Sequence, residues 1–256
     1  MGGLCSPFFA FGRFFIIFSF KRSGILKSSV RLIAHTPFPD RCVAQAARLC
    51  YSKGTAAECC AGEMTESQIH SFLEKLSRSG HFSPFEHVTF SFAVDHISRV
   101  CSHQLVRHRL ASYSQQSQRY VPMDVPSVIC PPSIEAREEA REIFEKTQRN
   151  AHEAYTALCS LGIPKEDARY LLPHGFETSL VLTMNAREMM HFFSLRLCRR
   201  AQWEIQNLAK EMLRQARERA PHIFALAGPP CVFKGSCEEE RPCGKPYGSM
   251  EELLGE

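Results

Sequence analysis

The sequence predicts an α+β protein with more helix than strand, and two patterns carry that prediction. Val88, Phe90, Phe92 and Val94 alternate with Thr89, Ser91 and Ala93, the period-two signature of a half-buried strand. Several later stretches instead repeat their apolar residues at the helical period. The composition agrees: 256 residues, 44% hydrophobic and 23% charged, give enough chain for a sizeable core and exclude a disordered or fibrous protein. No internal repeat is present.

The elements follow in order. Ser29–Ala34 reads as a short strand, broken by Thr36-Pro37. Asp40 is placed to cap a helix running through Ala44–Cys50. Thr65-Glu66-Ser67-Gln68 is a capping-box pattern that opens a helix with Ile69, Phe72, Leu73 and Leu76 on one side, stopped by Gly80. The strand at Val88–Val94 is followed by a helical stretch expected from about His96 to Leu110, then a polar loop-and-strand segment, Ser112–Met123. Pro131-Pro132 breaks the chain, and Ser133 is placed to cap a long helix whose period runs through Ala136, Ala140, Ile143, Phe144, Thr147, Ala151, Tyr155 and Leu158. Gly162-Ile163-Pro164 ends it and starts a shorter helix containing Arg169. Two more helices are expected at about Asn185–Leu197 and Arg200–Arg219.

Charge narrows the function classes. The net charge of +4 equals the four cations of residues 1–28, Arg13, Lys21, Arg22 and Lys27, which have no acid among them. The rest of the chain is neutral overall, which argues against a broad nucleic-acid-binding face and leaves room only for a local basic patch. Residues 1–28 also hold seven of the 19 phenylalanines. Their apolar run is too short to span a bilayer, and its cations follow it, unlike a secretory signal. They read as an extension outside the fold. The twelve cysteines are scattered through a mid-sized chain and read as reduced thiols of a cytoplasmic protein. Cys231, Cys237 and Cys243 stand with five residues between each pair, a wider spacing than zinc sites use; a Gly/Pro-rich tail with thiols is the plainer reading, and no metal is expected.

Two anomalies carry chemistry. Arg107-His108-Arg109 packs two fixed cations and an imidazole into three residues, and Arg119 follows. Guanidinium groups match phosphate oxygens in bidentate geometry, so the cluster suggests a phosphorylated ligand; the alternative is a solvated basic turn. The intervening Ser112, Ser114, Gln115, Gln116, Ser117 and Gln118 supply neutral donors and acceptors suited to a base edge or a phosphate. The second anomaly is Arg196. On a helical wheel begun at Asn185 it falls at about 20°, inside the stripe of Met189, Phe192, Phe193 and Leu197. A buried arginine is costly unless paired, so it is either half of a salt bridge or aimed into a ligand cavity. Cys101 reads as a core thiol, and His81 and His87, around a Pro-Phe-Glu turn, as structural histidines. No glycine-rich nucleotide loop is present.

These residues resemble the flavin-dependent thymidylate synthases, whose signature is Arg-His-Arg, seven residues, then Ser: here Arg107-His108-Arg109, then Ser117, followed by Gln118-Arg119-Tyr120. The likeness continues at Ala46–Tyr51, Gly80–His87, Asp167–Arg169, Asn185–Arg187 and Ala201–Glu204, spanning about residues 29–228. It implies a helix-rich single domain at 29–228 with a small, mostly antiparallel sheet, between the 1–28 extension and a Cys/Pro/Gly-rich tail at 229–256. It also implies an activity: reductive methylation of dUMP to dTMP with FAD, using methylenetetrahydrofolate as carbon donor and NADPH as reductant, without a cysteine nucleophile. The working form would be a homotetramer with shared sites, needing no nucleic acid and no stable membrane association.

By resemblance, Ser83, Arg107, His108, Arg109, Gln115, Asn185, Ala186, Arg187 and His191 would hold FAD, with His81 at the flavin edge. Gln104, Leu105, Val106, Arg107, Gln115, Gln116, Ser117, Gln118, Arg119 and Arg169 would hold dUMP. Arg196 would face the uracil as the catalytic group, a fixed cation that stabilises charge developing on the ring. The chain departs from common family patterns at Ser114-Gln115, at His191 and at Arg200, the last a candidate for a phosphate of FAD. The rival reading from another class is a nucleotide- or RNA-binding module built on the Arg107–Arg119 cluster, which predicts steep salt dependence and no chromophore. Two others are a flavin enzyme methylating uracil in RNA, which needs a wider basic surface, and a metal-binding tail.

Overall fold

The computed structural model describes residues 28–123, 127–237 and 239–255. Nearly all of the N-terminal extension lies outside the described residues. The chain is α+β, with one four-stranded antiparallel sheet: β1 (Ser29–His35), β2 (Thr89–Ser98), β3 (Ala111–Gln115) and β4 (Glu177–Asn185), in the order β1-β2-β4-β3. The helices are α1 (Pro39–Leu49), α2 (Ala56–Ala61), α3 (Glu66–Ser79), α4 (Arg99–Leu105), α5 (Pro132–Glu135), α6 (Glu138–Ser160), α7 (Lys165–Ala168), α8 (Ala186–Arg196), α9 (Trp203–Arg219), α10 (Cys231–Lys234) and α11 (Met250–Leu254). Two 3-10 turns stand at Ser83–His87 and Arg169–Leu171.

The local signals explain most of these boundaries. Thr65 accepts from the Gln68 amide while Gln68 reaches back to the Thr65 amide, and Gly80 takes the left-handed φ of 72° that closes α3. In β2, Phe90, Phe92 and Val94 point into the core with Leu182, Met184, Phe192, Phe193 and Phe224, all buried at the centre of one cluster. A second, smaller cluster, Val128, Tyr155, Ala168, Leu172 and Phe176, packs α6 and the 3-10 turn at Arg169–Leu171 onto the end of the sheet. The tail joins the main core through Tyr247, Met250, Leu253 and Leu254.

Four expectations are corrected. The helix expected from His96 is strand until Ser98: a register shift between Val94 and Ile97, with His96 at φ 59°, absorbs the extra residue and lets β2 continue. The helix then starts at Arg99, capped by Ser98 Oγ, and ends at Leu105, five residues early. Asp40 does not cap α1, which starts without a side-chain cap; the buried carboxylate accepts the backbone N–H groups of His222 and Ile223 at 3.1 and 2.9 Å. Ser133 sits inside the four-residue α5, and the long helix starts afresh at Glu138. The strand β4 was not expected at all, although it lies between β2 and β3 in the sheet.

The outer edge of the sheet is closed from the side. Gln215 of α9 lies against β1, its Oε1 accepting from Leu32 N and its Nε2 donating to Val30 O, both at 2.7 Å. A bulge between Leu32 and Ala34 bends the strand beside it. Among the described residues no helix is long and apolar enough to cross a membrane.

Candidate functional site

The site grows from the junction of β2, α4 and α8. α4 ends in the turn that carries Arg107-His108-Arg109. The Tyr113 hydroxyl, from β3, lies 2.9 Å from the carbonyl oxygens of both Leu105 and His108 and clamps that turn. α8 begins where β4 ends, with Asn185 as its cap accepting from Glu188 N at 2.8 Å. The two segments meet through side chains. His108 Nδ1 stands 3.1 Å from Glu188 Oε1, and Arg196 Nε donates to His108 Nε2 at 3.1 Å.

The three-residue motif therefore splits by role. Arg107 and Arg109 are exposed, whereas His108 is only 4% exposed and packs edge-on against Phe192 at 4.9 Å. Burial, then the cation of Arg196 and His191, holds the His108 pKa down at about 4, so the ring is neutral near pH 7. Burial raises the Glu188 carboxyl above the usual carboxylate value, and nearby His191 works against that rise. Arg196 is half-buried inside the apolar stripe, and among the described residues no carboxylate pairs with it. Of the two readings open for it, the salt bridge is not what the structure shows.

Beside this line of contacts lies a cavity of about 890 Å³, bordered by Phe82, Leu110, Arg187, Glu188, His191 and Lys234 among others. Its walls mix apolar rings and aliphatic chains with cations, which suits a flat ring system carrying anionic arms. The Ser83–His87 turn reaches it through Phe82, and Glu86 of that turn pairs with Arg187. Ser83 is exposed on the turn; His81 bonds to the Tyr51 hydroxyl through Nδ1 at 2.9 Å. Ala186 is fully buried and donates its N–H to Val88 O at 2.9 Å. Arg200 is turned away into the tail, bonding to Arg241 O at 2.9 Å.

Several of the remaining candidates gather in a second group. Arg119 forms an ion pair with Glu166 at 2.7 Å, and Arg169 Nε donates to Glu166 O at 3.1 Å. Arg99 belongs here as well: its Nη2 donates to Gln116 O at 2.9 Å, and the charge of Arg169 adds to burial in lowering its pKa. Arg99 Nε is buried with no hydrogen-bond partner among the described residues. Ser117 Oγ accepts from Arg119 N at 3.1 Å, and Gln115 Nε2 donates to Thr178 Oγ1 at 3.2 Å. Gln104 and Gln118 are half-buried, Val106 is exposed, and Leu105 is fully buried in the core.

Glu188, Tyr113 and Arg99 escaped the sequence reading. Glu188 stands three residues after a capping Asn, a detectable signal; nothing local marks the other two. Cys101 is fully buried, and burial together with Glu204 pushes its thiol pKa far up, so it is inert as a nucleophile. Cys198, Cys231, Cys237 and Cys243 line one small cavity, yet among the described residues no three His, Cys, Asp or Glu side chains are arranged to hold a metal ion.

The family described as thymidylate synthase complementing protein matches residues 31–222. A protein of Geobacter sulfurreducens named flavin-dependent thymidylate synthase is 49% identical over 219 residues, which cover 84% of this chain and 94% of that protein. Proteins of the same name from Clostridium tetani and Pyrococcus furiosus are 45% and 39% identical, covering 84% and 82% of this chain and 93% and 89% of theirs. With matches of that depth across both arginine groups and the α8 segment, the chain belongs to the flavin-dependent thymidylate synthase family.

Proposed function

We propose that the protein methylates dUMP to dTMP with FAD bound, taking its carbon from 5,10-methylenetetrahydrofolate and its electrons from NADPH. The observation that carries the reading is the second arginine group. Of Arg99, Arg119 and Arg169, only Arg119 pairs with a carboxylate among the described residues, that of Glu166, and a buried guanidinium N–H of Arg99 is left without an acceptor among them. The two uncompensated charges match a phosphate monoester, and its oxygens would satisfy the orphaned donor. Ser117, whose Oγ accepts from Arg119 N, stands beside these cations and, with Gln104, would share the nucleotide.

The 890 Å³ cavity fits the flavin. Arg187 and His191 would take the anionic and polar parts, and Phe82 and Leu110 would cover the ring. Once bound, FAD supplies the hydride that completes the methyl group. Arg196 would face the uracil. Its Nε is fixed by His108, and no described residue bonds its two terminal nitrogens, so they are free for an oxygen on which charge develops. Cys101 does not enter the chemistry, because it is fully buried and burial pushes its thiol pKa up.

The working form is read as a homotetramer of the cytoplasm. Leu110, Tyr120 and Tyr170 leave large apolar surface beside these residues for neighbouring copies to cover.

The test is a visible absorbance spectrum of the purified protein, followed by dUMP in the same cuvette. Flavin bands that shift with dUMP are expected, and Arg196→Ala should keep the bands and lose the shift. A folded, colourless protein that takes up no added FAD would overturn the reading.

A further inference from the structure

Arg196 is held in an unusual way. Arginines in protein interiors normally find a carboxylate; this one donates its Nε to a neutral imidazole nitrogen. Such a bond forms only if that nitrogen carries a lone pair, so His108 must keep its proton on the other nitrogen. That other nitrogen, Nδ1, faces Glu188 Oε1 at 3.1 Å. The ring has no freedom to answer differently, since Phe192 and His191 pack against it edge-on at 4.9 and 5.8 Å and it is almost sealed from solvent.

We infer that Glu188 is a positioning residue that acts through His108: its carboxylate fixes the Nδ1–H tautomer and so presents a lone pair to Arg196, whose terminal nitrogens are thereby aimed at the substrate. The inference rests on the proposed role of Arg196. Without an acceptor at position 188 the buried ring has no satisfied state left: a proton kept on Nδ1 is orphaned, and a proton moved to Nε2 opposes the Nε–H of Arg196. The ring then loses its single tautomer and fixed position, and the guanidinium loses the contact that orients it. Glu188 also borders the cavity, so a direct contact between its carboxylate and a ligand is the competing role to be separated.

Histidine-selective ¹⁵N labelling separates them, because a ring nitrogen bearing a proton and one bearing a lone pair differ in chemical shift. The intact flavoprotein should show His108 with its proton on Nδ1. Glu188→Gln keeps an acceptor of the same length; it should keep the tautomer and stay within about threefold of the parent kcat. Glu188→Leu should lose the single Nδ1–H pattern and lower kcat about 100-fold, with the KM for dUMP little changed and the flavin bands retained.

The inference is overturned by an Nε2–H ring in the parent protein, or by a Glu188→Leu variant whose tautomer or kcat is unchanged. It is also overturned if Glu188→Gln keeps the tautomer yet loses as much activity as Glu188→Leu, which would mean that the charge itself meets the ligand. If the leucine variant does not fold, the parent and glutamine spectra decide. Because the tautomer is read without substrate, a protein that shows this loss but makes no dTMP would refute the proposed function and leave the relay standing.

Discussion

Replacing His108 by glutamine should remove a specific part of the protein's sensitivity to acid. An exposed histidine titrates near 6.5, whereas burial and Arg196 hold this one at about 4. Between those values the unfolded chain binds a proton that the folded protein refuses. The stability contributed is therefore full above pH 6.5 and lost as pH falls towards 4. At 1.36 kcal/mol per pKa unit the total is about 3 kcal/mol, of which about 1.5 disappears between pH 6.5 and 5. The upper part of the window is the cleaner one, because the Glu188 carboxyl, raised by burial, joins the titration lower down. The assay is the urea midpoint of parent and His108→Gln across pH 5 to 7.5, at fixed protein and FAD concentrations. The parent curve should fall more steeply by about 2 kcal/mol over that whole interval. Parallel curves would refute the argument, because they would mean that His108 accepts its proton as readily folded as unfolded.

Other outcomes follow from the same structure. Asp40→Ala orphans two backbone N–H groups at His222 and Ile223; it should cost about 3 kcal/mol and lower the melting temperature by about 6–12 °C in a circular-dichroism melt. Phe90→Ala removes a fully buried ring that packs on Phe224 at 5.3 Å, and should cost about 3–5 kcal/mol by urea unfolding. Arg169→Ala should weaken dUMP binding by about tenfold or more, read as the titration of the flavin bands, while the bands themselves remain. Under native conditions a thiol-alkylating reagent should label the exposed Cys50 and Cys60 and spare Cys101, and mass mapping that found Cys101 modified would contradict its burial.

The fold was legible where local chemistry and burial agree. The reciprocal bonds of Thr65 and Gln68, the glycine stop at Gly80 and the alternation in β2 each place a residue by its own short-range interactions. Two of the misreadings share one cause, a partner distant in sequence. Asp40 looks like a cap because the chain 180 residues away, whose amides it receives, cannot be seen from its neighbours. His96 looks like a helix start because the bulge that absorbs it exists only against β4. That strand, buried between two others, has an apolar run through Leu180-Val181-Leu182 that fits strand and helix equally well.

The candidate site divides the same way. The arginine motif announces an anion in any arrangement, and Arg196 is conspicuous on a wheel. That His108 is neutral, and that Arg99 joins Arg169, depend on which helix ends meet.

The side-on contact of Gln215 with β1 bears on how the protein behaves in a crowded solution. A strand at the border of a sheet offers a row of unused amide and carbonyl groups, and any extended peptide, including another copy of the same strand, can zip onto it. Here a single glutamine amide mimics the next strand for one donor and one acceptor, at Leu32 and Val30. The bulge then throws the following residues out of register for any incoming chain. The helix that covers the core thus also guards the border against fibre-like growth, and Gln215 is the residue through which that protection is exerted.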